Sequence, residues 1–146
     1  MLTAKLLPDV PPAAAVLGLA GVIPFAAAAI ASFGAGLLSA FATQALLAYG
    51  AVILSFLGGI QWGLAIDRGR PTYAHLGLGV LPSLVGWAAL LLGSYWGLLL
   101  LAAAFLLVLL VDMRLTQVGI APDWFPQLRL VLTQAVVLCL LVALVF

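Results

Sequence analysis

The stretch from Tyr49 to Arg70 limits the possible folds more than any other part of the chain. From Tyr49 to Ile66 it carries no charge, and it ends in Asp67-Arg68-Gly69-Arg70, the densest charge cluster in the sequence. An uncharged run of this length matches the roughly twenty residues a helix needs to cross a hydrocarbon core. Similar runs recur along the chain, and composition points the same way: 67% of residues are hydrophobic and only 6% are charged, with a mean hydropathy of +1.38. Soluble domains carry charge on about a quarter of their residues, so this chain lacks the polar surface needed to meet water. The runs do not alternate apolar with polar residues, as the strands of a transmembrane barrel would. The sequence therefore reads as all-α: a polytopic integral membrane bundle forming a single transmembrane domain over residues 1–146.

Five spans are expected, at about 13–33, 38–66, 74–92, 98–114 and 126–146. The first exceeds the 7–15 residues of a signal-peptide core, so it is read as a span, with Pro24 as a kink. Pro82 interrupts the third. Gly93-Ser-Tyr-Trp-Gly97 is read as a turn whose aromatics suit the membrane–water interface. Asp123-Trp124-Phe125 forms an interfacial anchor in the longest connection, and Pro126 suits the first turn of the last span. With five spans, Lys5, Arg68, Arg70, Arg114 and Arg129 all fall on one side. By the positive-inside rule the N-terminus is cytoplasmic and the C-terminus is outside.

Small residues recur at four-residue spacing on the second span, at Ser55, Gly59 and Gly63, and the third offers Gly79, Ser83 and Gly86. Faces of this kind let lipid-embedded helices approach closely. They serve either to pack the second span on the third or to receive a partner helix. A polar layer lies in the half of the bilayer nearer the cations, including Gln61, Trp62, His75, Asp112, Arg129, Thr133 and Gln134. Polar groups at depth face a bundle interior or a wet cavity. Asp112 and Arg129 lie near facing ends of consecutive antiparallel spans and are expected to pair. Trp62 and Trp87 sit deep in their spans with indole N–H groups that need partners. Together with His75 and Gln134 they are the candidates for lining a cavity between the second, third and fifth spans.

No catalytic set is visible: there is no Glu, no nucleophile near a candidate base and no pair of deep carboxylates. The chain is therefore not expected to be an enzyme. One His and one Cys, His75 and Cys139, do not make a metal site on their own. No resident cofactor and no nucleic-acid partner are expected.

The segment Tyr49-Gly-Ala-Val-Ile-Leu-Ser-Phe-Leu-Gly-Gly-Ile-Gln-Trp-Gly63 resembles the bacterial membrane family designated domain of unknown function 3429, which also includes animal transmembrane protein 69. The resemblance continues in Leu17 to Phe25, in Leu81-Pro-Ser83 with Trp87, in Asp112 with Arg114, and in Trp124 to Leu130. It implies a small multi-span inner-membrane protein and supplies no activity and no functional residues. The head before the first span, with one Lys and no Arg, lacks the make-up of a transit peptide, so a bacterial cytoplasmic membrane is the expected address.

Two roles fit these features. The first is a non-enzymatic accessory or assembly subunit that binds other membrane proteins, or itself, through its small-residue faces. The second is a binder or carrier of a hydrophobic small molecule such as a lipid, quinone or tetrapyrrole. The latter would be similar in architecture alone to the tryptophan-rich sensory proteins.

Overall fold

A computed structural model describes residues 8–67, 69 and 72–145; Lys5, Arg68, Arg70 and Pro71 lie outside the described residues. Every regular element among them is a helix: α1 (Pro12–Ala20), α2 (Ile23–Ala31), α3 (Leu37–Asp67), α4 (Tyr73–Leu91), α5 (Ser94–Gln117) and α6 (Phe125–Val145). Counting α1 and α2 together as one span, five helical segments are long and apolar enough to cross a membrane. Burial is inverted relative to a soluble protein. Phe56, Trp87, Leu107 and Leu138 are each 63% exposed, while Gln61, Asp112, Arg129 and Thr133 are buried. Such a surface is satisfied by lipid and not by water.

The break between α1 and α2 falls at Pro24, which lacks an N–H and sits in the first turn of α2; Pro82, expected to interrupt the third span, instead lies inside α4, which runs on unbroken past it. At the break Gly21 N–H bonds back to the Leu17 carbonyl, and Val22 N–H to that of Leu19. The Tyr49 hydroxyl of α3 donates to the Gly21 carbonyl oxygen at 3.1 Å. In lipid every freed backbone group needs a partner, and here a side chain from the neighbouring span supplies one. The Tyr49 ring also meets Phe25 edge-on, with centroids 4.9 Å apart. α5 begins at Ser94 and not near Leu98 because Gly93 makes the turn by itself, at φ +79°, a conformation that favours glycine. Ser94, Tyr95 and Trp96 are therefore the first turn of the helix. On the other side of the bundle Thr72 caps α4 by accepting the His75 N–H at 3.3 Å.

α3 packs on α2, α4 and α5; α6 packs on α5, α2 and α1. The centre is filled by Phe25, Leu46, Leu47, Leu54, Leu98, Leu101, Phe105 and Leu140. α3 and α4 approach closely enough for backbones to touch. A methyl group added at Gly58 would strike the Gly79 carbonyl oxygen, and one at Gly86 would lie 3.0 Å from that of Ala51. The buried stripe of α3 is thus Ala51, Leu54, Gly58, Gln61 and Ala65, at alternating three- and four-residue steps that keep to one face. The Ser55-Gly59-Gly63 ladder corrects accordingly. Steps of four residues advance about 40° further around a helix each time, and Gly59 and Gly63 have rotated off the interface into open space. Ser55 is half-buried and its hydroxyl donates to the Ala51 carbonyl at 2.9 Å. On α4 Gly79 and Gly86 do sit in the interface, with Ser83 half-buried beside them.

Candidate functional site

Three spans meet at a buried polar cluster in the half of the bundle nearer Asp67. α5 contributes Asp112, on the same face as Phe105, Val108 and Leu109. α6 contributes Arg129 and Thr133, one turn apart and continuous with Val136 and Leu140. α3 contributes Gln61. Arg129 Nε donates to Asp112 Oδ2 at 2.7 Å, and Gln61 Nε2 donates to Asp112 Oδ1 at 3.2 Å. Both carboxylate oxygens are therefore engaged. The charges are only 2% and 5% exposed at Asp112 and Arg129, so their mutual attraction must offset the cost of removing each from water. Among the described residues, two buried polar atoms find no partner: Arg129 Nη2 and Thr133 Oγ1.

Hollows lie on two sides of this cluster. Between α3, α4 and α5 a recess of about 210 Å³ is lined by Gln61, His75, Leu78, Val111, Leu115 and Ile120. It adjoins a groove of about 740 Å³ to which the same six residues contribute, together with Arg114 and the apolar side chains of Leu81, Pro82, Val85 and Leu107. Between α1, α2, α3 and α6 lies a separate chamber of about 140 Å³, whose polar lining is Arg129 and Thr133.

Asp112 and Arg129 stand together, as their places in the sequence suggest. The other cavity candidates are dispersed. Trp62 is turned toward α4, where its Nε1 donates to the Leu76 carbonyl at 2.7 Å, a bond that ties α3 to α4. Trp87 points outward from α4, and Gln134 is exposed on α6. α4 lies against α3 and α5 while α6 lies against α5 and the first span, so the four residues line no common cavity. Of the four, His75 lines the recess between α3, α4 and α5, and Gln61 stands there with it. The expected cavity between the second, third and fifth spans is replaced by one between the second, third and fourth. Trp124 packs edge-on to Phe125, with centroids 5.9 Å apart, against the cluster of Val10, Ala15 and Leu128.

Two contacts escape sequence reasoning, those of Gln61 and Tyr49. Gln61 stands in the polar layer, but its role as second donor to Asp112 depends on the rotation of α3. Tyr49 gives a faint signal, since Pro24 implies a freed carbonyl nearby that some donor must satisfy. No group of three metal-ligating side chains occurs among the described residues.

The sequence profile of a family described as "Protein of unknown function (DUF3429)" matches residues 10–145. Transmembrane protein 69 of Xenopus tropicalis is 35% identical over 97% of this chain, and the mouse protein of the same name is 30% identical over 94%. In each case the chain spans 57% of the relative's length. No solved structure matches.

Proposed function

Since the chain belongs to this family of unknown function, no role comes to it from a relative, and we propose that it binds a membrane lipid with an anionic headgroup in the groove between α4 and α5. The observation that carries the reading is the groove's polarity. Gln61, His75 and Arg114 line it together with Leu78, Leu81, Pro82 and Val85, over about 740 Å³. A volume of this size falls in the range of small-molecule sites, in which a few polar groups orient an apolar body. Arg114 is near the end of α5 and exposed, where a guanidinium can take a phosphate through two parallel N–H bonds. Acyl chains would then run along the apolar lining toward the bilayer centre.

The reading is of a binder and not of a catalyst. Asp112, the one buried carboxylate among the described residues, has both oxygens occupied and is not free to act as a base. In this orientation the N-terminus and the groove's polar end face the cytoplasm of a bacterial cell, and the C-terminus faces outward. A reporter active only in the cytoplasm and fused after Phe146 is expected to be silent. The lipid reading is tested by native mass spectrometry of protein released from nanodiscs of mixed phosphatidylglycerol and phosphatidylcholine. Selective retention of phosphatidylglycerol, lost in Arg114→Gln, is expected; indiscriminate retention by both proteins would refute it.

A second reading, a subunit that docks on other membrane proteins, is supported by the open positions at Gly59 and Gly63, where an added methyl meets nothing within 4 Å. Those positions leave room for a foreign helix. Gly59→Leu with Gly63→Leu is expected to abolish stoichiometric co-purification of a partner without lowering the yield of the chain itself. Co-purification that survives the double substitution would place the partner elsewhere.

A further inference from the structure

The groove between α4 and α5 sorts its lining by depth. Arg114 follows Asp112 by two residues toward the end of α5, which sets its backbone about 3 Å nearer the membrane surface. Arginine near the end of a span carries its charge further outward still. Gln61 is level with Asp112, because its Nε2 donates to Asp112 Oδ1 at 3.2 Å. Leu81, Pro82 and Val85 of α4 and Leu107 of α5 stand deeper, further along their helices from the ends that carry His75 and Arg114. From the surface inward the groove therefore offers a cation, then an amide, then an apolar track.

That amide is only half used. The Asp112 carboxylate, paired with Arg129, can only accept hydrogen bonds, so it takes the NH2 side of Gln61. Gln61 Oε1 takes part in no hydrogen bond among the described residues. It is not one of the buried atoms without a partner either, since those are Arg129 Nη2 and Thr133 Oγ1. Oε1 thus keeps open surface on a residue that is otherwise 5% exposed, and the hollows that Gln61 lines are the recess and the groove. Around it the recess is walled by Leu78, Val111, Leu115 and Ile120. An acceptor left without a donor among apolar walls is costly, so an occupant that brings a donor to this depth is favoured over one that does not.

When a phospholipid's phosphate meets Arg114, its glycerol backbone comes next inward and its chains follow. In a diacyl lipid both backbone oxygens at that level are esterified and can only accept, which sets acceptor against acceptor at Gln61. A monoacyl lipid carries a free hydroxyl in place of one ester, and a hydroxyl donates. Hydroxyls of the headgroup lie on the outer side of the phosphate, away from Gln61. We infer that the groove selects monoacyl phospholipids. The phosphate pairs with Arg114, the backbone hydroxyl donates to Gln61 Oε1, and the single chain follows Leu81, Pro82, Val85 and Leu107. The inference rests on the lipid reading of this groove and names the lipid class it takes.

The test is native mass spectrometry of the full chain released from phosphatidylcholine nanodiscs. These carry equal small fractions of lysophosphatidylglycerol, its 2-deoxy analogue and diacyl phosphatidylglycerol. The deoxy analogue keeps the headgroup, charge and chain and lacks the backbone hydroxyl. The wild type should retain lysophosphatidylglycerol about fivefold over the deoxy analogue, the worth of one hydrogen bond, and should prefer it to the diacyl lipid. Gln61→Met keeps the side chain's length and should level lysophosphatidylglycerol with the deoxy analogue. Leu78→Trp fills the recess from a position 43% exposed and leaves the Gln61–Asp112 bond in place. It should level them too, and it decides the matter if Gln61→Met does not fold. Equal retention of the two monoacyl lipids by the wild type, both above phosphatidylcholine, overturns the inference and leaves the anionic-lipid groove standing. Retention no better than that of phosphatidylcholine for all three removes the groove reading and the inference with it. A preference for the diacyl lipid, or a hydroxyl preference that survives in Leu78→Trp, likewise overturns the inference.

Discussion

Removing both partners of the Asp112–Arg129 pair should cost less than the sum of removing each alone. Asp112→Ala leaves a guanidinium 5% exposed without its 2.7 Å acceptor, and leaves the Gln61 amide without its own. Arg129→Ala leaves a carboxylate 2% exposed with Gln61 as its remaining donor. Breaking a buried pair from one side costs about 3–5 kcal/mol, so two independent substitutions would sum to roughly 6–10 kcal/mol. The double variant has no orphaned charge, and its cost should fall short of that sum by on the order of 3 kcal/mol, the upper range for directly contacting residues. Unfolding free energies in mixed micelles of fixed composition, followed by tryptophan fluorescence, measure all four corners of the cycle. Replacing the pair by apolar side chains that fill the same space, Asp112→Leu with Arg129→Met, should come closer to wild type than either alanine variant. Additivity within about 0.5 kcal/mol would show that the two groups do not act as a unit, and the reasoning would fail.

Neighbouring glycines of α3 should behave oppositely. Gly58→Ala drives a methyl into the Gly79 carbonyl and should destabilise by about 1–3 kcal/mol, whereas Gly59→Ala, facing open space, should lie within about 0.5 kcal/mol of wild type; the same unfolding assay compares them. Tyr49→Phe keeps the ring contact with Phe25 and removes the hydroxyl bonded to Gly21. Its expected cost is about 1 kcal/mol, with faster amide hydrogen exchange concentrated at the α1–α2 junction.

The five spans are legible in the sequence because hydropathy and length are properties of segments and need no knowledge of neighbours. Asp112 and Arg129 are legible for a related reason: they stand near the joined ends of two consecutive antiparallel spans, which residues 118–124 hold together. Rotation about each helix axis is not legible. In a soluble helix the polar face marks the outside, but α3 and α4 are apolar all round, and lipid-facing Phe56 and Trp87 look like core residues in sequence. Gly58 and Gly59 therefore cannot be told apart, although one touches α4 and the other touches nothing. For the same reason the depth of Trp62, Trp87 and Gln134 is readable while their directions are not. The hollow beside α6 is the least visible feature, because its lining is drawn from α1, α2, α3, α5 and α6 together.

The position of the ion pair also bears on how the chain is made. α5 emerges from the ribosome carrying Asp112, and its counter-charge follows 17 residues later on α6. A lone ionised side chain within a span opposes insertion by a few kcal/mol. Taken singly, each helix brings one buried charge without the partner it has in the fold; taken as a hairpin, Asp112 and Arg129 meet, while Arg114 stays exposed near the end of α5. The α5–α6 hairpin is thus the smallest unit that can leave a translocation channel for lipid with its two buried charges paired, which links membrane insertion of this half of the protein to the formation of one tertiary contact.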